Sequence, residues 1–138
     1  MAFIPCLGVA DPAASMSFYR SLGFDIDSSP AYPGHDLHLL LFRGQFCAML
    51  YRSSELREYQ PVLAGTAPGL HGMLYLAVDD IDAMYEHVAR HTPIVKPMAT
   101  DGSGQRLFYF RDPDGYVIGV NDSAALAASS MAKYARTP

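Results

Sequence analysis

Cysteine is scarce in this chain, with Cys6 and Cys47 as the two examples, and tryptophan is missing altogether. Two cysteines this far apart make neither a disulfide framework nor a CxxC pair, and seven methionines fit an ordinary reduced interior. Charge is also sparse. Only 17% of the residues are charged and 50% are apolar, against roughly 25% charged in an average soluble chain. That balance excludes a disordered segment and points to much buried or ligand-facing surface. There is no basic excess: ten Lys and Arg against fourteen Asp and Glu leave a formal charge of −4. A footprint for nucleic acid or an anionic membrane is therefore absent. Long apolar runs are lacking too, since stretches such as Phe46 to Tyr51 fall far short of the ~20 residues of a spanning helix. The start, Met1 to Asp11, has no basic region ahead of an apolar run and meets Pro5, so it does not read as a secretory signal. A soluble, cytoplasmic protein is the expectation. A length of 138 residues suits one domain, or two small halves sharing a core.

Phe3 to Val9 alternates loosely and ends at Ala10-Asp11-Pro12, where Asp11 caps a helix and Pro12 suits its first position. Ala14, Phe18 and Leu22 recur at helical spacing and Gly23 supplies a stop, predicting a helix over 12–22. A short strand, Phe24 to Asp27, leads into a loop over 28–34. Two apolar runs, Asp36 to Arg43 and Gln45 to Tyr51, flank Gly44 as a hairpin. After a connector over 53–70, with a short helix near Leu56 to Leu63, the order repeats. A strand over Met73 to Val78 precedes a helix capped by Asp79 or Asp80, with Ile81, Met84, Tyr85 and Val88 on one face to about Arg90. Strands at Ile94 to Lys96, Gln105 to Arg111 and Tyr116 to Asn121 follow, the last two joined by Asp112-Pro113-Asp114-Gly115. Val9 and Asp11 are matched by Val78 and Asp80 sixty-nine positions on, half the chain. A long period with two copies indicates a duplicated module of strand, helix and three strands. The modules span 1–52 and 71–121, and an alanine-rich tail occupies 122–138.

The segments Leu7-Gly8-Val9-Ala10-Asp11 with Phe18-Tyr19-Arg20-Ser21-Leu22-Gly23-Phe24, then Leu76-Ala77-Val78-Asp79-Asp80-Ile81-Asp82, then Phe110-Arg111-Asp112-Pro113-Asp114-Gly115-Tyr116, resemble the vicinal oxygen chelate superfamily. This is the group of glyoxalases, bleomycin-resistance proteins and extradiol dioxygenases. The resemblance covers roughly residues 3 to 121 and rests on the ordered set of segments. It implies an α+β fold of two βαβββ modules whose curved mixed sheets surround a cavity, usually completed in a homodimer.

The superfamily holds both metal enzymes and metal-free binders, so the site must be read residue by residue. Metal-dependent members place one ligand on the first and one on the last strand of each module. Anchored on Val9, Val78 and the Asp-Pro-Asp-Gly turn, those positions fall on Ile4, Met49, Met73 and Gly119. None is a histidine or carboxylate, as Ni²⁺, Zn²⁺, Mn²⁺ or Fe²⁺ would need, and thioethers suit only Cu(I). Cys6, Cys47, His71 and Asn121 stand two positions from these slots, on the same strand faces, so a slipped register is the route by which a metal site would reappear. If the parallel pairing puts Ile4 beside Met49, Cys6 and Cys47 are offset by four residues, roughly 13 Å, too far for a disulfide.

Strand alternation then sorts the remaining side chains. In the second module Leu74, Leu76 and Val78 go to the helices and Met73, Tyr75 and Ala77 face the cavity. The hairpin at Gly44-Gln45 pairs Phe42 with Cys47, Leu40 with Met49 and His38 with Tyr51, placing all six on the cavity face. Leu107, Tyr109, Arg111, Val117, Gly119 and Asn121 join them from the last two strands, while Phe108, Phe110, Ile118 and Val120 are core. The result is an apolar, aromatic lining with a few polar groups, the composition of a small-molecule pocket. Gly119 leaves room for something flat or bulky.

Other signals are weaker. His87 and His91 stand four apart on a helix but lack the glutamate of a metalloprotease and read as a solvated face. His35 and His71 read as surface or edge residues. His38 alone faces the expected cavity and is the one candidate base, with no carboxylate at a matched position to orient it. Tyr109 is a second candidate for metal-free catalysis. Gly102-Ser103-Gly104-Gln105 lacks the helix and lysine of a phosphate loop and reads as a lid, and no GxSxG elbow occurs. Cys47 is a thiol among apolar neighbours and so inert. Asp11, Asp80, Asp112, Asp114 and Gly115 serve as caps and turns. The sequence thus points to a binding protein without a cofactor, closest in type to the bleomycin-resistance proteins. It would sequester a small aromatic or amphipathic molecule such as an antibiotic; the alternative is a lyase, isomerase or dioxygenase-related enzyme with a displaced or absent metal site.

Overall fold

Both helices expected after the two copies of the Val-x-Asp pattern begin where the aspartates stand. In the computed structural model, which describes residues 3–29, 34–69, 71–129 and 132–134, Asp11 accepts a hydrogen bond from Ala14 N at 3.3 Å and Asp80 from Ala83 N at 3.0 Å. Each carboxylate satisfies one of the free amides of a helix's first turn. The element order is β1 (Cys6–Val9), α1 (Pro12–Ser21), β2 (Phe24–Asp27), β3 (Leu37–Phe42), β4 (Gln45–Arg52) and α2 (Ser53–Tyr59). Then come β5 (Met73–Val78), α3 (Ile81–His91), β6 (Ile94–Thr100), β7 (Arg106–Arg111), β8 (Val117–Asp122) and α4 (Ser123–Ala128).

Two four-stranded sheets result, in the orders β1-β4-β3-β2 and β5-β8-β7-β6. The pairs β1/β4 and β5/β8 are parallel and the rest antiparallel, so the α+β architecture of two βαβββ modules is present. The chain divides into two compact units, Met1–Gly69 with Pro113–Gly115, and Leu70–Asp112 with Tyr116–Pro138. In the first, α1 covers one face of its sheet through Tyr19, whose ring meets Phe24 edge-on at 5.4 Å. Leu7, Val9, Leu40 and Leu50 are buried there. In the second, Tyr85 of α3 meets Phe108 edge-on at 5.0 Å, and Phe108, Phe110, Val88 and Val120 are fully buried. Asp114, in the turn clustered with the first unit, accepts from Ala10 N at 2.8 Å and from the buried Ser15 hydroxyl at 3.2 Å.

The register of the last hairpin follows the expectation. Phe108 faces Val120, Tyr109 faces Gly119, and Asp112 N donates to Tyr116 O at 3.0 Å, with Gly115 at φ 90°. The first hairpin differs. Its two-residue turn is Arg43-Gly44, both at positive φ (52° and 75°), so Phe42 faces Gln45. A bulge then absorbs Cys47, leaving Leu40 opposite Ala48, Leu39 opposite Met49, His38 opposite Leu50 and Leu37 opposite Tyr51. Compared with the expected pairing the strand has slipped by one residue, and a slip of one exchanges the two faces of a sheet.

Three boundaries also move. α2 begins at Ser53 directly after β4 instead of near Leu56, and ends before Pro61, which continues as a short 3-10 turn. β6 runs on through Pro97 to Thr100 because it is an edge strand, paired with β7 alone, where a missing amide hydrogen goes unnoticed. The expected lid, 102–105, is a turn pinned by Asp101, whose carboxylate accepts from Ser103 N, Ser103 Oγ and Gln105 N. Residues 30–33 of the expected loop, residue 70 of the connector and residues 130–131 and 135–138 of the tail lie outside the described residues. No helix among the described residues is long and apolar enough to cross a membrane.

Candidate functional site

The second unit presents the face that alternation predicts. β5 lies in register with β8, so Met73 stands opposite Val117, Tyr75 opposite Gly119 and Ala77 opposite Asn121. β7 adds Leu107, Tyr109 and Arg111. Met73 and Tyr75 are half exposed or more, at 50% and 58%. The rings of Tyr75 and Tyr109 meet edge to face at 6.1 Å and their hydroxyls lie 3.3 Å apart. A hydrogen bond with Tyr75 and partial burial push the Tyr109 phenol up to about 12. Gly119 lies beneath both rings: a Cβ built on it would come within 2.7 Å of Tyr75 Cε1 and 3.0 Å of Tyr109 Cε1. The room that Gly119 was expected to leave for a ligand is thus filled by the protein's own tyrosines. Asn121, expected to line a cavity, is buried and donates to Gln105 Oε1 at 3.3 Å.

In the first unit the exchanged faces redistribute the expected lining. Met49 and Tyr51 stay on the face away from α1, joined by Leu37, Leu39 and Cys6. His38, Leu40 and Phe42 move to the α1 face: Leu40 is buried, and Phe42 packs on Phe24 at 4.8 Å between ring centres. Cys47 sits in the bulge, donating its thiol proton to Leu40 O at 3.2 Å, and burial pushes its pKa up. The six side chains therefore do not share one face.

A carboxylate does orient His38, contrary to expectation. Asp36 Oδ1 meets His38 Nε2 at 2.5 Å, Asp36 Oδ2 accepts from Arg52 Nη2 at 2.7 Å, and Ser28 Oγ lies 2.7 Å from His38 Nδ1. Burial raises the Asp36 carboxyl, but hydrogen bonds from His38 and Arg52 outweigh it and hold the group below its ordinary value. On the opposite face of the sheet, Tyr51 is buried with its hydroxyl 2.5 Å from His35 Nδ1, and burial followed by the charge of Glu55 pushes the phenol up.

The four positions that the family resemblance assigns to a metal do not fit one. Ile4 and Gly119 carry no donor, and Met49 and Met73 offer thioethers where imidazole or oxygen is needed. The parallel register also sets Cys6, not Ile4, opposite Met49. Cys6 and Cys47 are then two residues out of step, still roughly 8 Å apart and beyond disulfide reach; both are free. Of the residues two positions along, Cys6 and His71 are exposed and Asn121 is taken up by Gln105. Among the described residues no three His, Cys, Asp or Glu side chains are grouped to hold a metal ion. His87 and His91 stack on each other at 4.4 Å on α3.

Residues 4–120 match the profile of the Glyoxalase/Bleomycin resistance protein/Dioxygenase superfamily. The chain belongs to this superfamily. Among solved structures it is similar to a protein of unknown function from Agrobacterium tumefaciens str. C58, at 30% identity over 88% of this chain and 94% of that one, with a TM-score of 0.73. A superfamily member from Sphaerobacter thermophilus DSM 20745 is 25% identical over 88% and 98% of the two chains, TM-score 0.71. TioX from Micromonospora sp. ML1 shares the fold at 23% identity over 88% and 95%, TM-score 0.64. No functionally curated protein matches the chain.

As a member of the glyoxalase and bleomycin-resistance superfamily, this protein carries polar groups that sequence reasoning missed: Ser28, Asp36, Arg52 and Gln105. A signal for two of them was present. Asp36, the residue just before β3, and His38 are two apart in one extended run and so share a face, and a register in which Phe24 faces Phe42 brings Ser28 beside His38.

Proposed function

We propose that this protein binds a small aromatic or amphipathic molecule without a metal ion or other cofactor and sequesters it unchanged, in a drug-resistance or self-protection role. The observation that carries this reading is the exposed Tyr75–Tyr109 pair seated on Gly119. Two rings held edge to face over a glycine offer fixed aromatic surface, and aromatic pairs contribute about 0.5–1.5 kcal/mol beyond their buried area. Met73 adds an adaptable apolar neighbour on the same face. The Tyr109 phenol, raised to about 12, offers a neutral hydroxyl at physiological pH, a group that orients a ligand without attacking it. Leu107 and Arg111 flank it along β7. A homodimer is part of the proposal and is checked by sedimentation equilibrium.

The test is a titration of planar aromatic antibiotics into the purified protein, followed by recovery of the drug. The expected result is saturable binding that Tyr75→Ala and Tyr109→Ala each weaken at least tenfold, with the drug recovered unaltered. Metal content after incubation with Ni²⁺, Zn²⁺, Mn²⁺ and Fe²⁺ is expected to be near zero. One tightly held metal per chain, or a drug returned chemically changed, would overturn the reading and turn attention to glyoxalase-like and dioxygenase chemistry.

A further inference from the structure

We propose that Ser28 is a nucleophilic serine, activated by His38 and Asp36, that takes up the acyl group of small activated carboxylic esters. All the groups belong to the first unit, whereas the tyrosine pair belongs to the second, and the inference does not rest on the binding function.

The strand registers build the relay. Asp27 faces Leu39 at the end of the β2/β3 ladder, so the next pair along is Ser28 with His38. Leu37 faces Tyr51 at the end of the β3/β4 ladder, so the next pair is Asp36 with Arg52, where Arg52 N donates to Asp36 O at 3.0 Å. Ser28, His38, Asp36 and Arg52 therefore share one sheet face by alternation. Their order of contact is Ser28 Oγ to His38 Nδ1 at 2.7 Å, His38 Nε2 to Asp36 Oδ1 at 2.5 Å, and Asp36 Oδ2 to Arg52 at 2.7 Å (Nη2) and 3.1 Å (Nε).

The proton positions follow from the donors available. The Asp36 carboxylate only accepts, so the neutral imidazole carries its hydrogen on Nε2 and leaves the Nδ1 lone pair to receive the Ser28 hydroxyl. Arg52 and the backbone bond from Asp36 N to Glu55 Oε2 at 2.6 Å fix the orienting residue in turn. This is the nucleophile, base and orienter arrangement of serine acyl transfer with the two ring nitrogens exchanged. His38 is largely covered, whereas Ser28 is exposed and open to an ester.

In the step itself, Ser28 Oγ forms a bond to the ester carbonyl carbon as its proton passes to His38 Nδ1. The bond from that carbon to the alcohol oxygen breaks, and the alcohol leaves with the proton. Water then attacks the acyl-serine, releasing the carboxylic acid and restoring Ser28.

The experiment incubates the full chain with p-nitrophenyl acetate, follows p-nitrophenolate release, and locates acetyl groups by peptide mass spectrometry. One acetyl group on Ser28 is expected, abolished in Ser28→Ala and retained in Ser29→Ala. His38→Gln should slow acetylation about 10²-fold or more, the usual contribution of a general base. Asp36→Asn, as a change in a positioning residue, should slow it too and move the His38 ring hydrogen from Nε2 to Nδ1 in ¹⁵N NMR spectra. Acetylation that misses Ser28, spreads evenly over other nucleophiles or keeps its rate in His38→Gln would overturn the proposal. If His38→Gln does not fold, wild-type protein with the ring hydrogen on Nδ1 would overturn it equally.

Discussion

Gly119 of β8 stands opposite Tyr75 of β5, and the absence of a side chain at one is what lets the ring of the other lie down on the sheet. A methyl group at 119 would meet Tyr75 Cε1 at 2.7 Å and Cδ1 at 2.9 Å. Tyr75 is exposed, so its ring can swing outward without disturbing the core behind it. Gly119 itself is buried, however, and the added methyl would also come within 3.0 Å of Tyr109 Cε1, so Gly119→Ala should cost about 1–3 kcal/mol, the range for crowding a packed position. The same change should break up the tyrosine pair and reduce affinity for aromatic ligands about tenfold, equivalent to roughly 1.4 kcal/mol. Denaturant unfolding and ligand titration on one variant read the two effects separately.

Tyr109 should titrate late and take part of the stability with it. Its phenol is held up to about 12, first by the hydrogen bond with Tyr75 and second by burial. A folded-state value above the ordinary one favours the neutral form, so the contribution is complete below about pH 10, the unfolded phenol value. It is lost as pH rises from there through about 12. Tyr75→Phe removes the hydrogen bond and should bring Tyr109 back toward the ordinary tyrosine value. ¹³C NMR of ring-labelled tyrosine follows the residue directly.

Phe42 separates the two possible registers of the first hairpin. A Phe42 facing a ligand would matter for binding, but here the ring packs on Phe24, which in turn meets Tyr19 of α1. Phe42→Ala should destabilise the fold by about 2–3 kcal/mol, just below the range of a fully buried ring. Affinity for an aromatic ligand should be unchanged in the folded fraction. Urea midpoints and ligand titrations below the unfolding transition provide the check.

The hairpins show what strand patterning can and cannot reveal. The second was legible because Asp112-Pro113-Asp114-Gly115 has one good solution, with Gly115 at positive φ closing the turn and Asp112 pairing with Tyr116. Every side chain on β7 and β8 then falls on its expected face. The first turn is Arg43-Gly44, and an arginine at φ 52° carries no sequence signal of a left-handed position. Its guanidinium lies over the Phe42 ring at 5.2 Å, a contact that alternation does not register. The bulge at Cys47 is equally silent, since every residue from Phe46 to Tyr51 is apolar and either face would accept it. One undetected residue moved His38 from the expected cavity to Asp36 and Ser28. The duplication, by contrast, showed through Asp11 and Asp80, because a helix cap needs a specific side chain at a specific place.

Asp114 does more than turn the chain. Its two oxygens accept from Ala10 N and from the hydroxyl of Ser15, a side chain fully buried in α1. Asp114→Ala removes both acceptors and deprives a buried hydroxyl of one, which should cost about 2 kcal/mol, within the range for hydrogen bonds to a charged group. Ser15→Ala removes the hydroxyl together with its need for an acceptor and should cost less, about 1 kcal/mol. Because the two side chains share a bond, the double variant should fall short of the sum by about 0.5 kcal/mol or more. Urea unfolding of the four proteins measures this. Strict additivity would show that Asp114 acts through the Ala10 amide alone, with the Ser15 bond contributing nothing.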